Sequence, residues 1–89
     1  MEATGYIYIA AAEGEPSYVK IGFSRNPSAR IYNLSVGNKG RLRLLGTIPA
    51  CQRTETVLKR MFKPFHIRGE WYSADILGII AKYFTGEQA

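Results

Sequence analysis

One acidic residue stands alone in the basic middle of this chain. Glu55 is the only carboxylate between Pro16 and Gly69, a segment that carries eleven Lys and Arg residues. Protein surfaces usually mix both signs of charge, whereas a basic surface with one isolated acid suits binding of a polyphosphate together with one divalent cation. An ordinary ion pair with Lys59, one helical turn later, explains Glu55 equally well.

The excess of positive charge predicts an anionic partner. The net charge is +5 and the sequence pI is about 9.6, which favours an anionic partner such as a nucleic acid. Contacts to backbone phosphates give affinity without reading sequence, and no recognition helix, zinc finger or second domain is recognisable. We therefore expect low sequence specificity unless a partner or a dimer supplies it. The candidate DNA-binding residues are Lys20, Arg25, Arg30, Arg41, Arg43, Lys59 and Lys63.

Length and composition limit the other possibilities. The 89 residues suffice for one small core, so we expect a single domain over 1–89 with its core at about 5–84. A single cysteine, Cys51, cannot form an internal disulfide, and no Cys/His cluster has zinc-ligand spacing, which favours a reduced, cytoplasmic location. No apolar stretch approaches the roughly 20 residues that span a bilayer, so no membrane association is predicted.

A β-hairpin is predicted at the start of the chain. Aromatic and aliphatic residues alternate over Gly5–Ile9 and again over Tyr18–Ile21, and the turn-forming segment Glu13–Ser17 separates the two runs. A period of two sorts the side chains onto two faces. The expected buried face carries Ile7, Ile9, Val19 and Ile21, and the opposite face carries Tyr6, Tyr8, Tyr18 and Lys20.

A short helix and a third strand are predicted next. Asn26 is a good N-cap and Pro27 a good first residue, so the helix should run from Pro27 to about Val36 and stop at Gly37, with Arg30 in its second turn. Leucines then alternate with arginines over residues 41–44, between Gly40 and Gly46, which predicts a strand with one cationic face that Pro49 ends.

Two further helices complete the prediction. Apolar residues recur at helical spacing from Cys51 to Phe62, and Glu55 falls at the margin of that apolar stripe, facing the body of the protein. Pro64 should stop this helix. Ser73 is expected to cap a last helix that ends at Gly86. Its predicted buried stripe is Ile76, Leu77, Ile80, Tyr83 and Phe84.

Five short motifs, taken together in their order, resemble those of the GIY-YIG nuclease superfamily. They are Gly5–Ile9, Val19–Gly22, Arg30 eight residues after that glycine, Glu55 opening a Glu-x-x-Leu motif, and Gly69–Tyr72. The resemblance is closest to the compact phage and fungal branch whose second triplet reads Lys-Ile-Gly in place of Tyr-Ile-Gly. It covers roughly residues 5 to 72.

The resemblance implies an α/β (α+β) fold, a small three-stranded antiparallel sheet flanked by about three helices, that cleaves DNA with Mg²⁺ or Mn²⁺. By the same resemblance, Tyr8 lies beside the attacking water, Arg30 binds the scissile phosphate and Glu55 holds the metal. Phosphodiester hydrolysis needs three things: a positioned water, charge stabilisation at the phosphoryl oxygens and relief of charge on the leaving oxygen. One carboxylate can suffice, because Mg²⁺ keeps most of its waters.

Three positions depart from the family pattern. Lys20 replaces a tyrosine that is a candidate base, and a lysine acts as base only where its surroundings lower its pKa; otherwise it is a phosphate clamp. Lys59 replaces a histidine and Leu34 a tyrosine. These departures leave two alternatives: a weak or inactive DNA-binding module of this fold, or a domain whose basic face binds an acidic protein in a phage or mobile-element setting.

Three residues near the last motif have both ordinary and functional interpretations. Glu70 occupies a position where the family favours an acid, yet it could merely orient the turn before the last helix. Trp71 is expected to anchor the core. His66, the only histidine, could shuttle protons, although a loop histidine is more often inert.

Overall fold

The predicted hairpin is present at the start of the chain. A computed structural model describes residues 3–36 and 41–84, with side chains up to Ala81. Strands β1 (Gly5–Ala12) and β2 (Glu15–Ser24) pair antiparallel with Tyr8 opposite Gly22. The reversal uses only two residues, because Gly14 adopts a φ of 84° that other residues rarely take. The predicted turn over Glu13–Ser17 was therefore too long.

The third strand is longer than the leucine and arginine alternation indicated. Strand β3 (Leu42–Ala50) pairs antiparallel with β1 along its length, and it continues through both Gly46 and Pro49. The prediction that Pro49 ends the strand was wrong. A proline is tolerated because β3 lies at the edge of the sheet, where one side of the strand has no partner strand to receive its N–H. Gly40, the predicted start signal, lies outside the described residues.

The prediction of a three-stranded sheet was wrong, although the α+β class is confirmed. Two strands of three residues each, β4 (His66–Arg68) and β5 (Trp71–Ser73), extend the sheet beyond β2. All pairings are antiparallel, and the strand order is β3-β1-β2-β5-β4. Three residues are too few for a period of two to stand out in a sequence.

The helices follow the predicted order. Helix α1 (Pro27–Val36) is capped by Asn26, whose Oδ1 accepts a hydrogen bond from the Ala29 N–H at 3.2 Å. Helix α2 (Gln52–Met61) follows Cys51 and leads into a short 3₁₀ turn over Lys63–Phe65, which contains Pro64. Gly37, the predicted stop of the first helix, lies outside the described residues.

The last helix begins later than predicted. Helix α3 covers Ile76–Phe84, whereas Ser73 ends β5 and its Oγ accepts from the Asp75 N–H at 3.2 Å in the intervening turn. Ser73 therefore stabilises the turn before the helix and does not cap the helix itself. The side chains of Tyr83 and Phe84, and Gly86, lie outside the described residues.

Helices cover both faces of the sheet. On one face the four predicted aliphatic residues Ile7, Ile9, Val19 and Ile21 pack with residues of α2, β5 and α3, among them Leu58, Phe62, Tyr72, Ile76 and Ile80. On the other face, Ile31 of α1 packs with Tyr8 and Ala10 of β1. The predicted division of β1 and β2 is thus confirmed, and Tyr8 is buried beneath α1. Within residues 3–36 and 41–84 no helix is long and apolar enough to cross a membrane.

Candidate functional site

The ring of Tyr8 lies directly on the backbone of its partner Gly22. A Cβ atom built on Gly22 would lie only 2.5 Å from the Tyr8 Cζ atom and 2.8 Å from Cε2. Real Cβ atoms do not approach that closely, so a side chain at this position would push the ring away. The glycine of the Lys20-Ile21-Gly22 triplet therefore fixes the position of the Tyr8 hydroxyl.

We expect Gly22→Ala to destabilise the protein by about 1–3 kcal/mol, because a core without spare volume must shift to admit a methyl group. The free energy of unfolding in urea measures this cost. Gly46→Ala is the matched control, since Gly46 is also a strand glycine but a Cβ there meets nothing within 4 Å. Equal costs in the two variants would contradict the role assigned to Gly22.

A carboxylate outside the predicted site set connects Tyr8 with Lys20. The Tyr8 hydroxyl donates to Glu70 Oε1 at 3.3 Å, and Lys20 Nζ lies 3.5 Å from the same oxygen. Lys20 also lies over the ring of Trp71, with Nζ 5.2 Å from the ring centroid. Glu70 precedes β5, which pairs with β2 beside Lys20, so strand pairing brings together residues that are fifty positions apart in the sequence.

Arg30 completes this cluster from the helix side. Burial raises the pKa of the Tyr8 hydroxyl, a hydrogen bond and the positive charge from Arg30 lower it, and the negative charge of Glu70 raises it again. The net pKa lies above the usual value for tyrosine, so the hydroxyl is protonated at neutral pH. Tyr8 can therefore donate and orient, but it is not poised to accept a proton.

Arg30 is also accessible to solvent. It is exposed in the second turn of α1 and lines an open pocket of about 450 Å³, whose other lining residues include Arg25 and Gln52. Because Gln52 is the first residue of α2, the pocket joins the starts of two helices. Two guanidinium groups beside polar side chains suit a phosphate group.

Glu55 is separate from the described contacts of this cluster. Its Oε2 lies 3.3 Å from Lys59 Nζ, and its side chain is only 14% exposed. The ordinary ion pair is therefore present, and Glu55 faces the body of the protein as predicted. Tyr72 is influenced both by Glu55 and by the cluster. Burial raises the pKa of the Tyr72 hydroxyl, the positive charge of Lys59 lowers it, and the negative charges of Glu55 and Glu70 raise it. Both carboxylates thus act on one buried phenol.

The remaining basic residues do not converge on one pocket. Arg25 shares the pocket of Arg30, whereas Arg41 lines a separate groove between α1 and β3. Arg43 is exposed on β3, and Lys63 is exposed just after α2. The predicted DNA-binding residues are thus spread over several elements, from β2 and α1 to β3, α2 and the turn that follows α2.

Sequence reasoning undervalued Glu70 and partly misjudged its neighbours. Only the family preference for an acid pointed to Glu70, because its contacts with Tyr8 and Lys20 depend on pairing between β2 and a strand that was not predicted. Trp71, expected in the core, is half-buried beneath Lys20. His66 is exposed, with Nε2 2.9 Å from the Gly69 carbonyl oxygen and its ring against Tyr72.

Comparisons with known proteins give one match, which is to a family model. Neither the curated proteins nor the solved structures contain a match. One family model does match, that of the T5orf172 domain, and it extends over residues 5–82. This range includes all five strands and the two strand motifs Gly5–Ile9 and Val19–Gly22. It also includes the cluster formed by Tyr8, Lys20, Arg30 and Glu70. The chain therefore belongs to the T5orf172 domain family.

Proposed function

We propose that this protein is a metal-dependent DNA endonuclease of the GIY-YIG type. The observation that carries the proposal is the placement of Arg30, which contacts the Tyr8 hydroxyl and also lines an open pocket that suits a phosphate. A phosphodiester seated there would have a permanent forked cation on its non-bridging oxygens. The same phosphate would lie beside the Tyr8, Lys20 and Glu70 cluster, where the attacking water belongs.

Each side chain then has a defined task. Arg30 holds the phosphate and offsets the charge that develops on it during attack. Tyr8 acts at the attacking water as a neutral hydroxyl, since its raised pKa keeps its proton in place. Lys20 forms an ion pair with Glu70 and lies over the ring of Trp71, so its amino group is held in place as a cationic partner. This favours the phosphate clamp over the base among the two roles that the sequence left open for Lys20.

Glu55 would hold the divalent metal, and the residues present fit that task. The carboxylate is a hard oxygen donor that already has a cation, the Lys59 ammonium, at 3.3 Å. Residues 3–36 and 41–84 contain no group of three His, Cys, Asp or Glu side chains placed to hold a metal. A one-carboxylate site suits Mg²⁺ or Mn²⁺, with water and substrate phosphate as the other ligands. When bound, the metal would supply Lewis-acid stabilisation of the leaving oxygen.

A catalytically inactive DNA-binding module is the second candidate, and a specific observation favours it. Both acidic groups of the site are paired with lysines: Glu70 with Lys20 and Glu55 with Lys59. A lysine ammonium group can neutralise a carboxylate in place of a metal ion. Lys59 also occupies a position where the compact branch that this chain resembles carries a histidine. Such a module would bind DNA in a salt-sensitive way without turnover.

Cleavage of supercoiled plasmid and of a branched oligonucleotide, in Mg²⁺, Mn²⁺ or EDTA, separates the two candidates. We expect nicking in both metals and none in EDTA. DNA binding measured across a series of salt concentrations should weaken steeply in either case. Salt-sensitive binding without product in any metal would reject the endonuclease and establish the binding module.

A further inference from the structure

The turn between β4 and β5 is built to present the side chain of Glu70. Gly69 adopts a φ of 54°, a conformation that favours glycine, and its carbonyl oxygen lies 2.9 Å from His66 Nε2. The backbone of Glu70 is tied to the sheet, since its carbonyl accepts from the Ile21 N–H at 3.0 Å. The carboxylate is thus held by the sheet and does not depend on a free loop.

Exposure distinguishes Glu70 from the hydroxyl that it contacts. Tyr8 is 1% exposed, whereas the Glu70 side chain is 29% exposed. A water molecule that arrives from solvent therefore meets the carboxylate before the phenol. Two donors, Tyr8 Oη and Lys20 Nζ, hold the same carboxylate oxygen, Oε1. A carboxylate that is held by two donors, and that is connected through Tyr8 to the arginine lining the open pocket, has the geometry expected of a general base.

Resting on the proposed function, we propose that Glu70 is the general base that activates the attacking water. Glu70 accepts one proton from the water as the water oxygen forms a bond to phosphorus. The bond between phosphorus and the leaving deoxyribose oxygen breaks, and that oxygen takes up a proton from solvent. Tyr8 and Lys20 position the carboxylate, and Arg30 holds the phosphate at which it works.

The charged surroundings of Glu70 agree with this task. Lys20 faces it from β2, Tyr8 faces it from β1, and the positive charge of Arg30 on α1 acts on that same Tyr8 hydroxyl. The phenol of Tyr72 on β5 lies within the field of Glu70, and His66 on β4 contacts the adjoining carbonyl group. Lys20 and the Tyr8 hydroxyl therefore hold one oxygen of this carboxylate in place from two different strands.

The test uses Glu70→Gln, which keeps the shape of the side chain but cannot accept the proton. Single-turnover cleavage is measured at saturating metal and protein from pH 6 to 9. We expect the variant to be slower by about 10²–10⁴-fold, the usual contribution of a general base. Its rate should also rise about tenfold per pH unit, because hydroxide must then replace the assisted water, while the wild-type rate depends less on pH. Glu70→Asp should recover part of the rate and the wild-type pH profile.

Binding and stability controls make the result specific. Glu13→Gln removes an exposed carboxylate from the β1–β2 turn and should leave rate and profile unchanged. DNA affinity in Ca²⁺ and the melting temperature of Glu70→Gln should stay close to wild type, because the glutamine keeps the size of the side chain and the position is only partly buried.

A rate within about fivefold of wild type, or a slower rate with an unchanged pH profile, would overturn the assignment, since a merely structural residue changes the rate without changing its pH dependence. The outcomes also separate this inference from the function on which it rests. Cleavage that survives loss of Glu55 would reject the metal role alone, and an altered profile in Glu70→Gln would still support the base. A wild-type protein that cleaves nothing would reject both.

Discussion

Glu55→Gln is expected to reduce metal-dependent cleavage by about a thousandfold, which corresponds to about 4 kcal/mol of transition-state stabilisation. The amide keeps the shape of the side chain but removes the charge that would hold Mg²⁺ or Mn²⁺. Single-turnover rates at saturating protein, measured over a range of metal concentrations, test this expectation. Folding should be little affected, since glutamine keeps the size of the side chain, and the ion pair that is lost has a half-exposed lysine as its partner.

Lys59→Gln is the variant that separates the two interpretations of Glu55. If Glu55 acts only as the partner of Lys59, both variants should lose the same stability and the same activity. If Glu55 holds the metal, Lys59→Gln should retain cleavage at saturating protein and need less metal for half-maximal rate, because a competing cation is gone. Direct binding of Mn²⁺ in the absence of DNA, followed by electron paramagnetic resonance, gives a readout that does not depend on activity.

Local patterns were sufficient to predict β1, β2 and α1, the elements that carry Tyr8, Lys20 and Arg30. The alternation in β1 and β2 assigned Ile7, Ile9, Val19 and Ile21 to one buried face, and the caps of α1 placed Arg30 in its second turn; both are confirmed. These features depend on neighbouring residues along the chain, which is the information that periodicity and capping contain. The ends of β3 and α3 were less accurate because edge position and strand pairing decide them.

The partners of the site residues could not be predicted in the same way. The sequence left Lys20 open to two roles, base and phosphate clamp, and the observation that bears on them is a contact with Glu70, fifty residues later. That contact requires β5, whose three residues are too short to show a pattern. Likewise, the burial of Tyr8 depends on Ile31 covering β1 from α1. The side chains of β1 and β2 could thus be assigned to the correct faces of the sheet from the sequence. The pairing of charged groups is visible only in the three-dimensional structure.

The arginine of the cluster should have the second large effect. Arg30→Ala is expected to slow single-turnover cleavage by about 10²–10³-fold even at saturating protein, the usual cost of removing one transition-state donor. Arg30→Lys should recover only part of the rate, because an ammonium group cannot form two parallel hydrogen bonds to a phosphate. Arg68→Ala, which removes another exposed arginine from β4, is the matched control for loss of positive charge.

Salt dependence distinguishes a catalytic Arg30 from a mere phosphate contact. Loss of one backbone contact lowers the slope of log affinity against log salt by about 1 and has no effect on the rate once the DNA is fully bound. An Arg30→Ala protein that binds more weakly but cleaves at the wild-type rate at saturation would place Arg30 among the ordinary phosphate contacts. A slow rate at saturation requires that the guanidinium, which interacts with the Tyr8 hydroxyl and lines the open pocket, stabilises the reacting phosphate itself.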